Sequence, residues 1–286
     1  VSPAPASSPE AVAEAAKRAE ARVRDRAQTL RRSTYFASTA SIAEAAWQEA
    51  IEALSATASI SMGSVQASAS SGAPAQLEEF VELSTDNGRR SSEGWLLCLG
   101  IGSVELSNSS SCQLALAWLL AERLGLRHCA WADPVMRPAD SAAGLALGFQ
   151  AMDSEVALGQ VAAAAVAAGA PLLLYMPHCD RALYERALAA VGAAVAELPA
   201  GTSQTLPQRL SGTVFVGNSF SLYADRDELR LVPEGTPGAP GATNLMRDLR
   251  PFTREDVLGE YSACPEAFND LAVMSFHADG MSADGG

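Results

Sequence analysis

The run Trp95-Leu96-Leu97-Cys98-Leu99, broken at once by Gly100-Ile101-Gly102-Ser103, constrains the fold of this chain more than any other stretch. Five apolar residues stop at Gly-Ile-Gly, and residues 107–124 follow with Leu114, Ala117, Trp118, Ala121 and Leu124 at helical spacing. A short continuous apolar run, ended by glycine and followed by a helix, is the pattern of a strand buried on both faces. The pattern then repeats. A short strand over 128–132 is stopped by Asp133-Pro134, and a helix over 139–147 follows. A weak third strand over 149–152 precedes an Ala/Val helix over 154–168, closed by Gly169. A strand over 171–176 halts at Pro177, a helix covers 181–195, and a strand over 213–216 ends at Gly217-Asn218. Alternating strands and helices predict an α/β, Rossmann-like fold: a mostly parallel sheet with helices on both faces.

Around this domain the chain divides by composition. Residues 10–32 are rich in Ala, Glu and Arg, which favours helix. Their few large apolar side chains predict a solvated helix or a partner-facing arm. Residues 41–54 also read as helix, with Ile42, Ala45, Ala46, Ile51 and Leu54 able to share a face. The expected organisation is an Ala-rich helical N-terminal extension over 1–54 and a low-complexity linker and polar loop over 55–93. The Rossmann-like domain follows over 94–277, with a flexible tail over 278–286. Within that domain, Thr253-Arg254-Glu255-Asp256 reads as the opening of a short helix and 268–276 as a last strand.

The net charge of −13 argues against direct nucleic-acid binding, which needs clustered Lys and Arg, and against an anionic membrane surface. No apolar run reaches the roughly 20 residues that span a bilayer. The five cysteines, Cys98, Cys112, Cys129, Cys179 and Cys264, show no CxxC spacing and are odd in number. Reduced thiols in a cytosolic or nuclear compartment are expected.

In an open α/β sheet, ligands bind beyond the carboxyl ends of the strands, where strand order reverses. The residues after each predicted strand therefore form the candidate site: Gly100, Gly102 and Ser103; Asp133; His178 and Cys179; Asn218 and Ser219. Glycines let a ligand approach the backbone, or simply make a tight turn. Asp133 is placed to take ribose hydroxyls; before Pro134 it is equally a natural turn residue. His178 can act as base, hydrogen-bond donor or metal ligand, or merely cap a strand end. Cys179 near a helix start is a candidate nucleophile or a buried structural thiol. A dinucleotide fingerprint needs a third glycine, and Glu105 stands there instead, where its charge would repel a pyrophosphate. No catalytic set is complete, no metal-ligand spacing occurs, and no cofactor is identified.

The motifs also come in a familiar order. Gly100-Ile101-Gly102-Ser103 and Gln113-Leu114 are followed by Asp133-Pro134-Val135 with Asp140 and Leu145. Then come Tyr175-Met176-Pro177-His178-Cys179 with Leu183-Tyr184, Gly217-Asn218-Ser219-Phe220 with Tyr223, and Phe268-Asn269-Asp270. Together they resemble the sensitivity-to-red-light-reduced (SRR-like) domain family over about residues 94–276. The resemblance implies a regulatory protein of circadian and light-signalling output or of haem-biosynthesis control, in cytoplasm and nucleus, with unidentified protein partners or a small ligand. It implies no particular reaction. Two rival readings are a nucleoside-cofactor enzyme of methyltransferase type, and a haem-responsive regulator using His178, Cys179 or Cys264. Two positions depart from the family pattern: Asp180 stands where a small residue is usual, and Leu271-Ala272-Val273-Met274 is apolar where polar residues are usual.

Overall fold

The computed structural model describes residues 8–61, 93–197, 204–223 and 244–278. Helix α1, Pro9–Arg31, starts where Ser8 caps it by accepting the Ala11 N–H at 3.2 Å, with Pro9 at its first turn. Its buried face is Ala15, Ala16, Ala19, Val23, Ala27 and Leu30, spaced three or four apart. That face packs on the domain, so α1 is not a solvated arm. The expectation failed because it weighed side-chain size. Four of the six residues are Ala, and a small stripe lets helices approach closely while still excluding water. Helix α2, Thr34–Ser61, buries Ala43, Ala46, Trp47 and Ala50 in the same core and extends into the start of the expected linker. Residues 62–92 of that linker, and residues 279–286 of the expected tail, lie outside the described residues.

The sheet domain follows in order: β1 Trp95–Leu99, α3 Asn108–Leu124, β2 His128–Ala132, α4 Pro138–Ala146, β3 Gln150–Ala151, α5 Ala157–Ala167, β4 Leu172–Met176, α6 Arg181–Ala196, α7 Leu206–Leu210 and β5 Thr213–Asn218. After a helical turn at 220–223 come α8 Leu245–Leu249, β6 Thr253–Val257, α9 Pro265–Phe268 and β7 Leu271–Phe276. The strand order is β3-β2-β1-β4-β5-β7-β6. Strands β1 to β5 pair in parallel, and β7 runs antiparallel between β5 and β6. The fold is the α/β, Rossmann-like one that the alternation predicts.

Strand periodicity sorts the two core layers. Leu96 and Cys98 of β1 face the layer built with α1, α2 and α3. Trp95, Leu97 and Leu99 face the layer built with α5 and α6. Residues 253–257 form an edge strand, not a helix opening. Thr-Arg-Glu-Asp resembles a helix start locally, but pairing with β7 from Thr253↔Phe276 to Val257↔Ala272 decides the conformation. The apolar run after Asp270 has the same origin: β7 lies between two strands and is buried at every position.

Candidate functional site

Because β1 pairs with β2 on one side and β4 on the other, strand order reverses at β1. The Gly100 turn and the β4 loop therefore flank the point of reversal, where ligands of open α/β sheets bind. Gly100 has φ 70°, and a methyl there would run into Cys179 Sγ and stand 3.6 Å from Pro177 O. Glycine is needed twice over, for the left-handed backbone and for the close approach of the β4 loop.

The loop after β1 is held from three sides. The Gly102 N–H donates to Asp133 Oδ2 at 2.7 Å, and Asp133 Oδ1 accepts the Val135 N–H at 2.9 Å. Asp133 is thus a clasp between the first two strand ends, with both oxygens engaged by backbone. The fully buried Asp140 accepts the Glu105 N–H at 2.7 Å and the Arg137 N–H at 2.9 Å. From the opposite side, Arg22 of α1 donates to Val104 O at 3.1 Å and Glu105 O at 3.2 Å. The Glu105 carboxylate, at the position of the missing third glycine, pairs with Arg137 at 3.1 Å. Ser103 is buried within this frame, and its hydroxyl has no hydrogen-bond partner among the described residues.

The β4 and β5 ends are laced together through Tyr184 of α6. Its hydroxyl donates to Met176 O at 2.5 Å and accepts the Asn218 N–H at 2.6 Å. Asn218 Oδ1 then accepts the His178 N–H at 2.7 Å. His178 has φ 54°, a left-handed conformation that costs a non-glycine residue roughly 1–2 kcal/mol. Its Nε2 lies 3.2 Å from Ala267 O, so that nitrogen carries the proton and Nδ1 is the acceptor in the neutral ring. Gln113 of α3 donates to the same carbonyl at 3.1 Å. Tyr223 donates its hydroxyl to Cys179 O at 2.5 Å. Ser219 lies on the same edge, but its hydroxyl is turned to Glu255 Oε2 of β6, also at 2.5 Å. Asp180, the departure from the family pattern, caps α6 by accepting the Leu183 N–H at 2.8 Å.

The sequence-predicted residues thus occupy one edge. Gly102 and Asp133 touch, His178 and Asn218 touch, and Gly100 abuts the loop that carries His178. Tyr184, Arg22 and Gln113 were not among the candidates. Tyr184 and Gln113 stand within motifs of the family resemblance; Arg22 lies 82 residues from Val104 in sequence, and nothing local marks the contact.

This edge offers hydrogen bonding rather than nucleophilic chemistry. Cys179 Sγ is buried 3.5 Å from Leu99 O, and burial, with smaller contributions from Asp133 and Asp180, pushes its pKa up to about 12. The thiol stays protonated and is not an activated nucleophile. Cys264, the other proposed haem-binding thiol, is buried with its sulfur 3.7 Å from Asn108 Nδ2. Among the described residues, no group of three or more His, Cys, Asp or Glu could hold a metal ion, and no helix is long and apolar enough to cross a membrane.

Burial also pushes Cys112 and Cys129 up to about 12. All three thiols bind their protons more tightly folded than unfolded. Above about pH 8.5 the unfolded chain loses these protons first, so stability is complete below that pH and falls as pH rises towards 12. Each thiol contributes up to about 1.4 kcal/mol per pH unit to that fall. Urea titrations at pH 7.5 and 10 should therefore give a clearly lower midpoint at the higher pH; equal midpoints would contradict the buried-thiol picture. Iodoacetamide at pH 7.5 should label native Cys129 first, because it alone of the five is not fully buried.

The SRR1 domain family model matches residues 60–275. No curated protein and no solved structure matches the chain.

Proposed function

The chain belongs to the SRR1 domain family, and on that premise we propose that it is a regulatory protein whose carboxyl-edge crevice binds a small ligand or a partner segment. The contacts are assigned to Gly100, Gly102, Ser103, Asp133, His178, Asn218 and Ser219. The regulated output is circadian and light signalling or haem biosynthesis, exerted in cytoplasm and nucleus.

The observation that carries this reading is His178. A left-handed position beside a strand end favours glycine, yet a histidine stands there with its backbone N–H fixed by Asn218 and its Nε2–H fixed on Ala267 O. Strain of this kind persists where surrounding contacts hold it, and it clusters at functional sites. The frame fixes the ring and leaves Nδ1 as an acceptor. The unpartnered, buried Ser103 hydroxyl on the neighbouring loop supplies a second polar group without an internal role.

His178→Gly separates function from folding. Glycine relieves the backbone strain while the imidazole contact is lost, so stability should stay within about 1 kcal/mol of the parent. In cells lacking the native protein, the variant at normal abundance should fail to restore the regulated transcript levels. Full restoration would remove His178 from the site.

A second reading, a nucleoside-cofactor enzyme, is favoured by the strand order, with Gly-x-Gly at its reversal and an acid after β2. Against it, Asp133 has both oxygens engaged and Glu105 occupies the third glycine position. Calorimetric titration with S-adenosylmethionine and with NAD decides the matter: no heat with either eliminates the enzyme reading.

A further inference from the structure

Large apolar side chains are exposed on the described residues at five positions, and three of them lie on consecutive loops of one half of the carboxyl edge. Leu106 follows β1 and is 69% exposed, Val135 follows β2 and is 62% exposed, and Val156 follows β3 and is 46% exposed. Scattered exposed aliphatics are ordinary; three on adjacent loops are not. Strands β1, β2 and β3 are neighbours in the sheet, so the outer two loops leave it roughly 10 Å apart. The β1 and β2 loops are fixed to each other by the Gly102–Asp133 hydrogen bond and the Glu105–Arg137 ion pair. Leu106 and Val135 are therefore held out on a stiff frame rather than on loose turns. Exposed Pro134 adds to the apolar surface.

The charge around them is mostly negative. The three loops carry Glu105, Asp133, Asp153 and Glu155; Glu105 pairs with Arg137, and Arg22 of α1 lies against the β1 loop, which leaves Asp153 and Glu155 as the exposed acids. Asp153 and Glu155 are exposed beside Val156. A surface of this composition repels anionic ligands and attracts cationic ones.

We propose that the β1–β2–β3 half of this edge is a docking surface for a cationic amphipathic helix of a partner protein. Apolar anchors at i, i+3 or i+4, and i+7 of such a helix span about 10.5 Å, comparable with the roughly 10 Å between the points where the β1 and β3 loops leave the sheet. Its Lys and Arg residues would meet Asp153 and Glu155. The surface adjoins the Gly100–Ser103 and Asp133 part of the ligand site proposed above but rests on other residues, Leu106, Val135, Val156, Asp153 and Glu155, so its variants are read separately from those of that site.

The test uses the full chain and two labelled 18-residue synthetic helices with the same Leu stripe, one otherwise rich in Lys and the other in Glu. Fluorescence anisotropy should show binding of the Lys peptide, weakening as salt rises, and at least about tenfold weaker binding of the Glu peptide. Leu106→Ser with Val135→Ser, and separately Asp153→Lys with Glu155→Lys, should each weaken the Lys peptide about tenfold or more. These positions are exposed, so circular dichroism should confirm an unchanged fold. His178→Gly and Val257→Ser, on the other half of the edge, should leave its affinity unchanged. Equal binding of the two peptides, or affinity insensitive to both double variants, overturns the proposal. So does self-association of the chain that the Leu106→Ser, Val135→Ser pair abolishes, because the occupant is then a second copy.

Discussion

Gly217→Ala should destabilise the protein by about 3–5 kcal/mol and lower the thermal midpoint by roughly 10 °C. Gly217 lies inside β5, paired with Met176 on one side and Ala272 on the other. A methyl there would overlap the Tyr184 hydroxyl and stand 2.7 Å from Met176 O. The carbonyl belongs to a neighbouring strand and cannot retreat without breaking the sheet. The tyrosine must move, and with it go the hydrogen bonds to Met176 O and from the Asn218 N–H. Each buried group left unpaired costs about 1–3 kcal/mol. The damage should also reach the site, because Asn218 positions His178. Tyr184→Phe removes the hydroxyl that the methyl would strike. The double variant should therefore lose less than the sum of the two single ones, a coupling visible in a urea-denaturation cycle. A loss below about 1 kcal/mol for Gly217→Ala alone would show that the bridge is not structural.

How much of this was legible in the sequence depends on distance along the chain. Strand β1, its turn and the alternation that follows are local patterns, and the structure reproduces them. That Gly100, Asp133, His178 and Asn218 share one sheet edge was legible too, because parallel strands place their carboxyl ends together once the fold class is known. Contacts between remote segments were not legible. Nothing near Tyr184 says that its hydroxyl spans two strand ends, and nothing near Arg22 says that it closes a loop 82 residues away. Asp133 could be read as a turn residue or as a site residue, and the geometry makes it a clasp holding the Gly102 amide. Residues 253–257 look locally like a helix opening because the strand that decides their conformation, β7, comes later in the chain. The burial of α1 was missed because alanine counts for little in a hydrophobic tally and for much in a close helix contact.

That last point carries the second large effect. A chain trimmed to the family match, residues 60–275, should lose cooperative folding, although it keeps β1 to β6, all of β7 but Phe276, and every candidate site residue. The match begins at the end of α2, so the trimmed chain lacks nearly all of α1 and α2. Val23, Leu30 and Trp47 are among the side chains these helices bury, in one continuous core with Leu96, Cys98 and Leu116. Burying a large apolar side chain is worth about 1.5–3 kcal/mol, so a few of them approach the 5–15 kcal/mol by which a typical domain is stable. Removal also uncovers the outer face of α3 and frees Val104 O and Glu105 O from Arg22. Full-length protein should give a single sharp thermal transition with ordered near-ultraviolet dichroism. The trimmed chain should give a broad transition, bind a hydrophobic dye, and regain order if residues 1–59 are supplied as a separate peptide. Val23→Asp in the full chain should reproduce much of the loss by burying an unpaired charge in the same contact. If the trimmed chain instead unfolds cooperatively within a few degrees of the full one, the two helices are an appendage. The Arg22 contact would then be incidental to the loop that frames the crevice.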